Sequence, residues 1–287
     1  MALEGIKQYH TGFAHGGMEP ISAWTTSADG ERTKDLLRIR WYGVFSDPND
    51  LGLALVLPVP FLIDYIFRRK NIIALVIMIV VCYSLYLTNS RGAFLALIIS
   101  SSVYCIFKLG LKKGLCFAGL LLAMAFVLGP GRMVDLSTEG ESAYGRIDAW
   151  YAGFQMFKSS PLFGVGRGMF TELNELTAHN SFILILSELG VFGYFLFVSF
   201  LISTIIYPIL EYKNNVGRHS ALLACFTGTI FSSMFLSRSY LLLMYIIPAL
   251  CTVKIHSTKI YKIKLSKSFG LSLCLVMVLF LIVKVSV

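Results

Sequence analysis

The chain has 287 residues, 56% of them hydrophobic and 14% charged, with 22 Phe and 14 Tyr. That balance excludes an ordinary soluble domain. Its net charge of +9 is concentrated in turns between apolar runs, with no basic and aromatic groove, so it speaks for anionic lipid headgroups and against a nucleic-acid partner.

In chain order, residues 1–49 open on "MALEGIKQYHTGFAHGG", too polar and Gly-rich for the apolar core of a signal peptide, and read as an outer-face segment. Apolar runs follow at about 50–67, 72–88, 93–108 and 114–129, then at about 180–210, 219–237, 239–254 and 269–287. About 20 residues cross a bilayer as a helix. The expected fold is an all-α integral membrane protein of about eight transmembrane helices, four within 50–128 and four within 179–287. Between the two sets, 129–178 reads as a large outer-face loop. Inside it, "SAYGRIDAWYAGFQMFKSSP" places Ile147, Trp150, Tyr151, Phe154 and Phe157 at helical spacing, with Ser142 as a cap and Pro161 as a stop. An amphipathic helix lying in the interface plane is predicted there. The six cysteines all sit inside apolar runs, without paired spacing, and read as small core hydrophobes.

Orientation follows from the short basic turns. Those running from Arg68 to Lys70, Lys108 to Lys113, Lys213 to Arg218 and Lys254 to Lys267 hold just over half of the 25 Lys and Arg residues, which marks them as cytoplasmic. The first fifty residues then begin on the opposite face, and the expectation is that helices ahead of them are missing from this chain.

Four places on the outer side combine polarity with membrane depth. In "YLTNSRGAFLAL", Asn89 and Ser90 suit a helix start, whereas Arg91 puts a cation in a first turn, against the helix dipole. Two readings stand for Arg91: an anchor snorkelling to headgroups, or an anion clamp made of guanidinium and exposed amides. Arg146 lies one helical turn before Trp150, which suits a cation over an indole as well as a ligand contact. Arg38, Arg40, Asp47 and Asn49 precede the first apolar run, where Pro48 sets a turn. Finally "TAHNSFILILSELGVFG" puts His179 and Asn180 at a helix start, whose positive end favours neutral imidazole, a base able to accept a proton. On a continuous helix Gly190 lies three turns on, facing the same way as His179, and a large side chain there is expected to push a neighbouring helix away. Glu188 falls on the opposite face; Glu175, one turn upstream, is the orienting carboxylate if the helix starts early. "GVGRG" at Gly164 to Gly168 reads as a tight turn, since no strand precedes it as a phosphate loop requires. No DxD, HxxxH or HExxH pattern suggests a metal.

Taken together, "SRGAFL" (Ser90 to Leu95), "GRIDAW" (Gly145 to Trp150), "SPLFGVGRGMF" (Ser160 to Phe170) and "HN" at His179 followed by Gly190 and Gly193 resemble the O-antigen ligase and polymerase family. "RWYGVFSDPND" (Arg40 to Asp50) is similar to that family's segment before a mid-chain helix, so the resemblance spans roughly 1–210. It implies a polytopic glycosyltransferase of the bacterial inner membrane, acting on the outer face in surface polysaccharide synthesis. The implied donor is a glycan on undecaprenyl pyrophosphate, the acceptor a glycan or lipid-linked hydroxyl, with no cofactor or metal. The family's Arg-x3-Leu motif falls on Arg91 and Leu95, its loop arginine on Arg146, and its His-x10-Gly motif on His179 and Gly190. His179 is thus the expected catalytic base, with Arg91, Arg146, Arg40 and Asn180 as substrate-binding residues and Gly190 and Glu175 in support. A non-enzymatic carrier, such as a permease or flippase lining a polyanion path with arginines, and an inactive fragment are the competing readings.

The orientation has a direct test. Ser137→Cys is expected to react with a membrane-impermeant thiol reagent in intact spheroplasts, and Ser257→Cys to stay unlabelled; labelling at 257 would reverse the topology.

Overall fold

The computed structural model describes residues 1–13, 17–26, 32–40, 47–128, 140–211, 216–252, 270 and 272. The chain divides into one unit of Met1–Ser142 with Val216–Ser232 and a second of Ala143–Asn215 with Ser233–Val287. In chain order the elements are α1 (Ala2–Thr11), β1 (Ile21–Thr26), β2 (Arg32–Arg38), α2 (Pro48–Val56), α3 (Val59–Arg69), α4 (Ile72–Leu87), α5 (Arg91–Leu109), α6 (Leu111–Leu128), α7 (Gly140–Ser159), α8 (Met169–Leu173), α9 (Ser181–Glu211), α10 (Val216–Ser233) and α11 (Leu243–Thr252). Among the described residues the chain is mostly helical, as expected. The exception is one antiparallel hairpin, β1 with β2, Ile21 facing Arg38, in the segment read simply as an outer-face extension.

In the first unit, local caps set where helices begin. Asp47 accepts from the Asn49 N–H ahead of α2, Asn71 from Ile73 and Ala74 ahead of α4, and Ser90 from Ala93 ahead of α5, each satisfying amides that the first turn leaves unpaired. The first apolar run is interrupted between α2 and α3, because Pro58 and Pro60 cannot donate to the carbonyls of Ala54 and Val56. Even so, Pro48–Arg69 taken together is long and apolar enough to cross a membrane, as are Arg91–Leu109 and Ser181–Ile205; α4 and Ser220–Ser233 are apolar but shorter. The last apolar run and the lysine-rich turn before it lie outside the described residues, apart from Gly270 and Ser272.

The core of this unit packs Leu51, Leu55, Val56, Leu85, Ala93 and Ala96. Small residues bring its helices close: a Cβ on Gly52 of α2 would lie 2.6 Å from that of Ala93 on α5. Ser100 of α5 donates to the Ala224 carbonyl of α10 at 2.8 Å, and the fully buried Tyr104 donates to Asp64 at 2.9 Å, where Arg68 completes an ion pair at 2.8 Å.

The helix α7, most of which lies in the second unit, begins at Gly140, so Ser142 lies inside the helix rather than at its cap position. Its inward face also differs from the expected stripe. Ala149, Gly153, Met156 and Phe157 are buried, while Ile147 and Tyr151 are 57% and 67% exposed. Gly153 is the reason: a Cβ there would come within 2.6 Å of Ile183 Cγ2, so its missing side chain lets the small-residue face of α7 close on α9. Met156, Phe170, Ala178 and Leu184 form the core beneath.

The long apolar run 181–211 is not one continuous helix. Gly190 has φ 63° and ψ −165°, which breaks the α9 ladder. That overturns the placement of Gly190 on the same face as His179, since helical phase does not carry across the break. In a regular helix Val191 and Phe192 would donate to Ser187 and Glu188. Here the loop 161–166 supplies substitutes. Val165 and Gly166 donate to the Ser187 and Glu188 carbonyls at 3.0 and 2.9 Å, while Val191 and Phe192 donate to those of Pro161 and Leu162 at 2.8 and 3.2 Å. The approach is backbone against backbone. A Cβ on Gly190 would lie 2.5 Å from the Leu162 carbonyl, and one on Gly164 (φ 70°) 2.5 Å from the Glu188 carbonyl oxygen. The "GVGRG" stretch is thus the tight turn expected, with Gly164, Gly166 and Gly168 all at positive φ.

Gly190→Ala and Gly164→Ala are each expected to cost about 2 kcal/mol or more, combining left-handed strain with overlap, and to lower the unfolding midpoint in detergent. Gly119→Ala on α6, where a Cβ meets nothing within 4 Å, is the control and should leave the midpoint unchanged or raised.

Candidate active site

The start of α9 is assembled from three directions, all within the second unit. Asn180 is its cap, accepting from Phe182 at 2.9 Å and Ile183 at 3.3 Å through Oδ1. The residue before it, His179, is in the left-handed conformation at φ 48°, uncommon outside glycine though adopted by His, Asn and Asp more often than by other residues, and its surroundings hold it there. The support is visible on both sides. The Trp150 indole on α7 donates to the Ala178 carbonyl at 2.9 Å. On the other side the turn ahead of α11 clamps Ser181: the Arg238 N–H donates to Ser181 Oγ at 2.9 Å, Ser181 Oγ to the Leu236 carbonyl at 2.5 Å, and Ser239 Oγ to the Ser181 carbonyl at 2.9 Å.

Below this clamp lies a carboxylate. Glu188 is 2% exposed. Its Oε1 accepts from the Gly168 and Phe170 N–H groups at 3.0 and 3.2 Å, and its Oε2 from the Tyr240 hydroxyl at 2.7 Å. Burial, reinforced by the hydrogen bond to Glu188, pushes the Tyr240 phenol above its ordinary range, which keeps it a donor. Arg167 stacks over the Tyr240 ring, 4.9 Å from its centroid.

The candidate residues read from the sequence divide between the units. Arg146, Glu175, His179, Asn180 and Gly190 belong to the second, Arg40 and Arg91 to the first. Arg146 is half-buried on α7, one turn ahead of Trp150, and Trp150 is bonded to the residue before His179. That sequence of contacts brings α7 and the His179 turn to one place. Asn180 uses its carbonyl oxygen on the helix start. Glu175 is exposed in a bend between α8 and α9; α9 begins only at Ser181, so the early start that would set Glu175 one turn below His179 is not met. Gly190 serves the helix break rather than the imidazole.

In the first unit, Arg91 opens α5 and is half-buried. The turn in front of it is fixed by Asn49, whose Oδ1 accepts from Ser90 Oγ at 2.7 Å and from Arg38 Nη2 at 3.1 Å. Arg38 Nε also reaches the Thr88 carbonyl at 3.0 Å. Arg40 is bound within its own segment, its N–H to Gln8 at 2.8 Å and its Nε to the Glu19 carbonyl at 2.7 Å.

Three residues of the second-unit cluster, Arg167, Arg238 and Tyr240, were not singled out in the sequence as site residues, and Glu188 was set aside as lying on the opposite face. The one available signal was a carboxylate inside an apolar run, which calls for a partner.

The residues from α4 through the broken α9 match the family model described as O-antigen ligase, over residues 73–198. Residues 73–198 are thus similar to an O-antigen ligase domain, which supports assignment to that family. The match is shorter than the span read from sequence motifs. It takes in Arg91, Arg146, His179, Asn180, Glu188 and Gly190, and leaves Arg40, Arg238 and Tyr240 outside. No curated protein and no solved structure matches the chain. The match to a ligase domain and the apolar helices support a multi-pass membrane protein of the ligase or polymerase type.

Proposed function

We propose that the ligase domain transfers a glycan from undecaprenyl pyrophosphate to an acceptor hydroxyl on the outer face of the bacterial inner membrane, with His179 as general base. The observation that carries this reading is the His179 turn. The backbone of His179 is left-handed, lies directly before a capped helix start and is flanked by Ala178 and Ser181, each bonded to another segment of the second unit. Preorganisation of that kind is what a positioned base needs. The acceptor oxygen attacks C1 of the donor sugar as His179 takes its proton; the bond from C1 to the phosphate oxygen breaks, and the electron pair leaves with the lipid pyrophosphate. Inversion at C1 follows from a single displacement. Guanidinium groups are assigned the charge that develops on the leaving phosphate. Arg146, near the His179 turn, is one; Arg91 is assigned an anion-binding role in the first unit on its own chemistry, a half-buried arginine in a helix's first turn. The reading assigns no metal to the step.

The assay is transfer from purified lipid-linked glycan by the protein in detergent. His179→Ala is expected to fold normally and lose about two or more powers of ten in rate. Arg91→Lys should be nearly as damaging as Arg91→Ala, because lysine cannot reproduce a bidentate fork. EDTA should leave turnover unchanged. Retained turnover in folded His179→Ala would remove the base assignment, full donor binding by Arg91→Lys would make Arg91 a membrane anchor and favour the carrier reading, and loss of turnover with EDTA would end the metal-free scheme.

A further inference from the structure

We propose that Glu188 is a positioning residue for glycan transfer, acting on His179 through the turn that holds the start of α9. The inference rests on the reading of His179 as the base. A carboxylate within a candidate membrane span is costly unless its oxygens are satisfied and it serves a purpose. Glu188 is satisfied by three donors drawn from two loops far apart in sequence: Gly168 and Phe170 on one side, Tyr240 on the other. Each contact leads on to the site. The bond from Tyr240 fixes the turn whose preceding residues, Arg238 and Ser239, grip the Oγ and carbonyl of Ser181, two residues after His179. The bonds from Gly168 and Phe170 fix the turn that sets Arg167 over the Tyr240 ring. Phe170 in turn packs in the core with Ala178, directly before His179. One buried carboxylate therefore joins the glycine turn, the turn ahead of α11 and the helix start that presents the imidazole. Glu188 itself is buried below that surface, which makes it a support for the reacting group rather than a participant.

The test compares Glu188→Gln and Tyr240→Phe with the native chain in the same transfer assay. Glutamine keeps the shape and the Oε1 acceptor; phenylalanine keeps the ring under Arg167 and removes only the hydroxyl. Glu188→Gln is expected to lower kcat at least tenfold and Tyr240→Phe at least threefold, with donor KM within twofold of native. If Glu188 acts through His179, adding Glu188→Gln to His179→Ala should slow the residual transfer less than twofold, because the group it positions is already gone. A merely structural role predicts equal losses in both backgrounds, and that result, or a Glu188→Gln rate within twofold of native, overturns the proposal. Tyr240→Phe decides in the same way should Glu188→Gln fail to fold. A readout independent of turnover is the rate at which diethyl pyrocarbonate modifies His179, followed by mass spectrometry with the exposed His10 as internal reference. It should change threefold or more in Glu188→Gln, and an unchanged rate overturns the proposal. Retained transfer in His179→Ala, by contrast, counts against the base assignment and leaves the modification result to judge the positioning of His179.

Discussion

A helix broken inside an apolar run exposes two carbonyls and two amides, and hydrocarbon offers none of them a partner. At Gly190 the chain meets that constraint with its own backbone. The segment 161–166 lies against the gap and provides two donors and two acceptors, so two lost helical bonds are replaced by four to the loop. Each unsatisfied group would cost several kcal/mol in lipid. The loop and the broken helix are therefore a single structural object. Both contacting glycines are needed for the same reason, since backbone can approach backbone this closely only where no Cβ intervenes.

Much of the second unit follows from that insertion. Because the loop is fixed at residues 161–166, the next residues arrive beside Glu188, and its carboxylate receives amides of Gly168 and Phe170 in place of water. Tyr240 completes the set and fastens the turn ahead of α11, which holds Ser181. The left-handed backbone of His179 is then bounded by Trp150 on Ala178 and by the clamp on Ser181. Strain at a single residue persists when its surroundings over-determine it, and here Ala178 directly before His179 and Ser181 two residues after it are bound to other segments.

What could be read from the amino acids was whatever depends on near neighbours. The cap at Ser90, the turn before the helix at Pro48, the helix start beside Asn180 and the glycine turn at 164–168 are local chemistry, and the structure has them where the residues indicate. The apolar runs from 50 to 252 coincide with helices for the same reason. The hairpin was not legible, because "ISAWTT" and "RTKDLLR" are short and mixed in character and only their mutual pairing makes them strands. The break after Val56 was written in Pro58 and Pro60, but the uniform hydrophobicity of 50–67 concealed it. Glu188 was set aside for a more instructive reason. A helical wheel sets it opposite His179 and so dismisses it as a partner, yet a wheel treats the helix in isolation. The link between the two residues runs through a turn 50 residues further along the chain, which no periodicity within α9 can reveal.

The spacing of the Glu188 partners also bears on how the protein is made. Gly168 and Phe170 precede Glu188 by 20 and 18 residues, whereas Tyr240 follows it by 52. During synthesis the glycine turn is available as soon as the acidic residue emerges, so the break and the carboxylate can be covered at insertion by chain already present. One carboxylate oxygen waits for α10 and the turn after it. Until then this helix sits in the bilayer with half of its polar need unmet, and the arrival of Tyr240 both ends that exposure and closes the clamp on Ser181. Satisfying the last carboxylate oxygen and closing the histidine turn are, in this chain, the same event.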